Sequence, residues 1–227
     1  MTLMKTSISR KPRTLRALIP SVSALHAALS ATLFTFPMLF AAAPAGAVQF
    51  SVTSLGTLGG LHSHSDGRGI NAAGQVAGVS GADTRPGVVH AFLWQSGSVQ
   101  DLGTLGGRGS GAHDINDAGQ VVGHSYTSGD TDIHAFLWQS GSMQDLGTLG
   151  GKRSFASGIN AAGQVVGMSD ISGDAAYHAF LWQSGSMQDL GTLGGTRSEA
   201  NSMNAAGQVA GYSYTSGDAA YHAHAFL

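Results

Sequence analysis

His178-Ala-Phe-Leu-Trp-Gln-Ser-Gly-Ser-Met-Gln-Asp-Leu-Gly-Thr-Leu-Gly-Gly195 is the stretch whose reading decides the fold. Its first six residues alternate so that Phe180 and Trp182 share one face, the pattern of a β-strand. Ser184-Gly185-Ser186 is a hairpin turn signal, and a second strand is predicted from about Met187 to Leu193, broken by Gly194-Gly195. The same string begins at His134, and at His90 with Val99 in place of Met187, so HAFLW recurs every 44 residues. Between these copies lies a second recurrent segment, IN-x-x-GQV, at Ile70, Ile115 and Ile159, with a Met variant at Met203. It predicts a strand around Ala156 to Asn160, a turn at Asn160-Ala-Ala-Gly163, and a strand Gln164 to Met168.

Three markers that keep one period make a repeat protein. DLGTLGG starts at Asp101, Asp145 and Asp189, and a degenerate SLGTLGG starts at Ser54. The copies divide as residues 48–94, 95–138, 139–182 and 183–227. Four short strands per copy of 44 residues predict an all-β chain, a β-propeller-like array of four-stranded antiparallel blades. A β-solenoid is the rival, but its coils are shorter and need no pair of tight hairpins. The array is read either as a truncated one or as a four-bladed ring. In a ring, residues 49–58 would supply the strand that completes the blade ending at Ala223 to Leu227.

Residues 1–47 differ from the rest. They carry Lys5, Arg10, Lys11, Arg13 and Arg16, no acidic residue, an apolar run from Val22 to Ala43, and Ala45-Gly46-Ala47. That reads as a secretory signal peptide, expected as a helix and removed after Ala47, with a retained membrane anchor as the alternative. The protein is therefore expected to be secreted or held at the cell surface, with the periplasm as an alternative. Of the 11 Lys and Arg, six follow Ala47, against all 13 Asp and Glu, a net charge of −7 for residues 48–227. An acidic chain argues against nucleic acid as a partner. With no cysteine, disulfides are not the staple.

DLGTLGG, IN-x-x-GQVVG and HAFLW resemble the HAF repeat of bacterial extracellular proteins, over about residue 53 to the end. The resemblance implies a secreted or surface-associated bacterial repeat protein. It brings no catalytic residues and no cofactor. The last copy departs from the pattern: it reads Tyr221-His222-Ala223-His224-Ala225-Phe226-Leu227, two residues longer before Phe226.

In an up-and-down meander, alternate connections share a side. The Ser-Gly-Ser and Asn-Ala-Ala-Gly turns then lie at one end, and the longer, copy-specific loops at the other. Variable loops on a rigid scaffold are where binding concentrates. The ligand-binding candidates are Arg108, Asp130, Asp132, Lys152, Arg153, Asp174, Tyr177, Arg197, Asp218 and Tyr221. The Asp-rich loops invite calcium, but none has its loop spacing, and no cofactor is expected. His90, His134, His178 and His222 recur once per copy, which suits a structural role better than a metal ring. Trp94, Trp138 and Trp182 are expected between blades, and Asp101, Asp145 and Asp189 in loop support.

No catalytic motif is present, and the residues that break the repeat (Glu199, Asp114, His113, His124, His62, His64) form no evident set in the sequence. The expected function is therefore a non-catalytic binding or scaffolding module, with an extracellular protein or glycan as partner. A secreted polysaccharide hydrolase or lyase, and a purely structural surface repeat, are the alternatives.

Overall fold

The structure is a computed structural model that describes residues 50–60, 64–82, 87–216 and 223–227. The expected signal peptide lies outside the described residues. Residues 55–227 form one compact unit, which carries the repeats.

The described residues are all-β. The first sheet holds β1 (Ser65–Ile70), β2 (Val76–Gly81), β3 (Val89–Gln95) and β4 (Ser98–Asp101). The second holds β5 (Gly106–Ile115), β6 (Val121–Thr127), β7 (Ile133–Gln139) and β8 (Ser142–Asp145). The third holds β9 (Gly150–Ile159), β10 (Val165–Ile171), β11 (Tyr177–Gln183) and β12 (Ser186–Asp189). The fourth holds β13 (Gly194–Met203), β14 (Val209–Thr215) and β15 (Ala223–Phe226). Within each sheet the strands pair antiparallel in chain order, as a meander. Isolated parallel bridges, Ile133 with Arg153 and Tyr177 with Arg197, tie the second sheet to the third and the third to the fourth.

The sheets are out of phase with the sequence copies, because the second and third each begin at the Gly-Gly pair and end at the Asp of DLG. The Gly-Gly pair opens a strand rather than breaking one. The strand predicted from Met187 to Leu193 stops at Asp189. The cause is local: Asp189 Oδ1 accepts from Gly191 N at 2.7 Å, Leu190 N donates to Ala179 O, and Leu193 N is taken by Ser213 Oγ at 2.8 Å. DLGTL is thus a braced crossing from one sheet to the next. The array is not closed among the described residues. β15 is bonded on one edge, to β14, and residues 55–58 form no strand.

HAFLW is apolar on both faces because both faces are buried. Phe136 and Trp138, with Ala112, Ile115 and Val121, pack on Ala77, Ala91, Leu93 and Leu102 of the first sheet. On the opposite face, Val122, Ala135, Leu137 and Leu146 meet Ala156, Ile159, Val165, Phe180 and Trp182 of the third. Val166 and Ala179 then meet Ala200 of the fourth. The second and third sheets are therefore two-sided wafers, with Phe and Trp toward the preceding sheet and Ala and Leu toward the following one.

Polar ladders link the wafers. Ser110, Ser154 and Ser198 are buried; each Oγ accepts from Ala91, Ala135 or Ala179 N of the preceding sheet and donates to a DLG glycine carbonyl. Asn71 Oδ1 accepts from Ala73 and Gln75 N inside its own turn, while Nδ2 donates to Asn116 O of the next sheet at 3.1 Å. Asn116 and Asn160 repeat this toward Asn160 O and Asn204 O. The repeated Asn closes a turn and joins neighbouring sheets, and the second role is invisible in a single copy.

The middle glycine of the second strand also has a structural cause. Each first strand bulges, for example between Ala112 and Asp114, which presses its backbone onto the neighbour. A Cβ at Gly123 would collide with Gly111 O, and Gly78, Gly167 and Gly211 face the corresponding carbonyls. Gly123→Ala is expected to cost roughly 2–3 kcal/mol, the upper end for overpacking, read as a lower urea midpoint. An unchanged midpoint would show that the bulge yields freely.

Candidate binding cleft

The ends of the sheets sort as the meander requires. At one end, Gln75, Gln120 and Gln164 donate to Gln95, Gln139 and Gln183, fastening the Asn turn to the Ser-Gly hairpin. At the other end lie the copy-specific loops and most of the candidate ligand residues. Arg108, Asp130, Lys152, Arg153, Asp174, Tyr177 and Arg197 are gathered there. Asp218 and Tyr221 lie outside the described residues, as does His222. The register of β14 with β15 places His224, not His222, opposite Ser213, where His178 stands opposite Ser169. The two extra residues are thus absorbed before the strand.

Much of this end is engaged in holding itself together. Asp130 and Asp174 have φ of 58° and 55°, and their Oδ1 atoms accept from Arg108 N at 2.7 Å and Lys152 N at 2.8 Å. They brace the loop against the start of the same sheet. Asp132 is half-exposed, and its carbonyl accepts from Thr127 N. Arg153 Nε donates at 2.7 Å to Asp170, whose side chain is 1% exposed. The Arg197 guanidinium lies 5.5 Å from the Tyr177 ring. Tyr177 Oη meets Tyr212 Oη at 3.4 Å, and Tyr212 donates to Glu199 at 2.8 Å. Burial, then the bonds to Tyr177 and Glu199, push the Tyr212 phenol far up, so it stays protonated.

The recurrent histidines face their own hairpins. His90, His134 and His178 Nδ1 each lie 2.8 Å from Oδ2 of Asp101, Asp145 or Asp189. A carboxylate only accepts, so Nδ1 carries the shared hydrogen. Burial raises the Asp101 carboxyl, but the bonds from His90 and Gly103 outweigh it and hold it below the usual range. Trp138 and Trp182 are buried between sheets, and Trp94 is half-buried. Among the described residues, no three His, Asp or Glu gather as a metal ion would need.

The copies differ most along one face of the first strand. Reading equivalent positions across the four sheets gives His64, Gly109, Arg153 and Arg197, then Asp66, Gly111, Phe155 and Glu199. Paired with the latter on the second strand are Val79, His124, Met168 and Tyr212. The third and fourth sheets fill this face with large side chains. The second sheet has glycine at both positions.

A cleft of about 440 Å³ lies at Gly109, lined by Gly87, Val88, Val89, Arg108, Gly109, Ser110, His124 and Tyr126. A Cβ at Gly109 would sit 3.0 Å from Val89 O, and one at Gly111 would sit 3.1 Å from His124 Cε1 and 2.9 Å from Val79 Cγ1. Arg108 stacks 4.7 Å from the Tyr126 ring centroid and reaches its hydroxyl at 3.4 Å. His124 is wedged between His113 and Phe155, each with ring centroids 5.0 Å away. Its Nδ1 is buried with no hydrogen-bond partner. Burial, then the nearby His113 and Arg68, pull its pKa down to about 4, so the imidazole is neutral at ordinary pH. His113 is lowered too, by burial, although its Nδ1 donates to Ala156 O at 2.8 Å.

Sequence reasoning placed Arg108 here but not the cleft, which is made by missing side chains. Its signal is Gly109, where the third and fourth sheets carry Arg153 and Arg197. The chain matches no protein-family model and no curated protein.

Proposed function

We propose that residues 48–227 form a propeller-like, HAF-type, non-catalytic binding module, exported by the signal peptide at 1–47, and that its ligand enters the Arg108–His124 cleft. The observation that carries this reading is the local break in repeat symmetry. Turns, and the cores and ladders of the second and third sheets, follow one pattern, whereas the residues that line the cleft depart from it: Gly109 stands where the third and fourth sheets carry Arg153 and Arg197. A concave site with few polar groups on an otherwise uniform scaffold is the usual form of a binding site. Its partner is an extracellular glycan or protein. A hydrolase or lyase needs an acid and a base poised on one bond; here Glu199 is engaged with Tyr212, whose phenol is held protonated, and His124 is a buried neutral ring.

The test is retention of the purified secreted protein on immobilised extracellular polysaccharide and surface-protein fractions. Gly109→Arg installs the side chain that the third and fourth sheets carry. The wild type is expected to bind one fraction, with retention at least about tenfold weaker in Gly109→Arg and no new reducing ends or unsaturated products. Equal retention of the two proteins would place the ligand elsewhere. Product release would replace the binding reading with the enzymatic one.

A further inference from the structure

The lining of the cleft narrows the chemistry of its ligand. This rests on the reading of the cleft as a binding site and goes further, to the class of molecule. We propose that the cleft takes one or two residues of an uncharged saccharide.

Charge is the first discriminator. Arg108 is the one cation among the lining residues, and Asp130 lies beside it with Oδ1 on the Arg108 backbone N. The face of the guanidinium is covered by the Tyr126 ring, and one of its N–H groups reaches the Tyr126 hydroxyl. Part of its charge is answered within the protein, by the Tyr126 ring and the field of Asp130. His124 brings no charge, since burial keeps its ring neutral. Residues 48–227 as a whole stand at −7. A polyanionic ligand would meet one partly satisfied arginine and an acidic surround, and a cationic ligand would meet that arginine directly.

Hydrogen-bonding type is the second. With Nδ1 buried, the neutral His124 ring can offer a ligand Nε2 alone, as donor or acceptor by tautomer; Arg108 donates only, and the Val89 carbonyl accepts only. Such a mixture suits groups that donate and accept at once, which is what sugar hydroxyls do. A carboxylate could use only the donors and would leave the acceptors facing it. The remaining walls include the apolar side chains of Val88 and Val89, surfaces for the C–H face of a pyranose, while one face of the Tyr126 ring is taken by Arg108. The volume of about 440 Å³ lies in the range of small-ligand sites and is short for an extended peptide.

The experiment is a binding screen of the secreted protein against arrayed neutral and uronate-containing oligosaccharides and acidic peptides. Calorimetry on the best binder follows at low and high salt. Arg108→Gln and Gly109→Arg are run beside the wild type, with thermal unfolding to show that both fold. The expected result is binding of neutral oligosaccharides, insensitive to salt, weakened about tenfold or more in both variants. Uronates bound best, with affinity falling as salt rises, would overturn the inference, as would selection of acidic peptides. No glycan bound, with Gly109→Arg-sensitive retention on surface protein, would overturn the saccharide and leave the binding module standing. No retention on any fraction would remove both.

Discussion

Phe136→Ala is expected to destabilise the protein by about 3–5 kcal/mol, seen as a lower urea midpoint with little change in slope. Phe136 is 0% exposed. It lies on β7, which is bonded on both edges, to β6 and β8, and its ring packs into the core shared by the first and second sheets. The size of the loss depends on whether the neighbours can collapse into the space. Here they cannot readily do so, because the sheets are held at fixed spacing by the Ser110 and Asn71 ladders. Phe226 provides the internal comparison. It takes the same repeat position on β15 but is only half-buried, with one strand neighbour. Phe226→Ala is therefore expected to cost no more than about half as much. Equal losses at the two positions would show that the sheets do not share their stability in the way their packing implies.

The legible part of this fold was the part that repeats. The strand His178 to Gln183, the Ser-Gly hairpin, the Asn-Ala-Ala-Gly turn and the two-ended meander follow from period-two alternation and turn chemistry, which act within about ten residues. What was illegible acts between copies. The grouping of strands into sheets depends on DLGTL crossing from one wafer to the next, and its braces, such as Leu105 N on Ser125 Oγ, join residues 20 apart. Asn116 looked like a turn residue because its bond to Asn160 O spans 44 residues. The last histidine was misplaced because two added residues give no sign of which side of the strand start they occupy; only pairing with Ser213 decides for His224.

The candidate site was harder for a different reason. Asp130 and Asp174 stood out as charged loop residues, yet each is occupied by a backbone N–H. The cleft itself is lined by Gly109, which attracts no notice in a chain with 34 glycines. His113, His124 and Glu199 were noted as departures from the repeat. They lie far apart in sequence, but first strands run side by side, so that both Arg68 and Glu199 exert a field on His113. Convergence of that kind follows from the stacking of sheets, not from any local pattern.

Acidification supplies the other large expected effect: the folded state should lose about 3 kcal/mol between pH 6.5 and about 4 through His124 alone. Its folded pKa lies below the ordinary value of 6.5. As pH falls, the unfolded chain therefore takes up the proton first, and acid favours unfolding. The contribution is fully present above about pH 6.5, declines through the window, and is flat below about pH 4, where both states are protonated. His113 is lowered in the same direction and adds to the slope. His124→Met removes the titration while keeping the site filled, because Met168 stands at the equivalent place on β10 opposite Phe155. Urea midpoints followed against pH are expected to fall more steeply for the wild type than for this variant, and parallel curves would refute the assignment. The folded imidazole does not change its charge until about pH 4. Ligand affinity at the cleft is thus expected to stay level across the window in which stability declines. A binding curve that fell with the midpoints would mean that His124 is protonated in the folded state well above that pH.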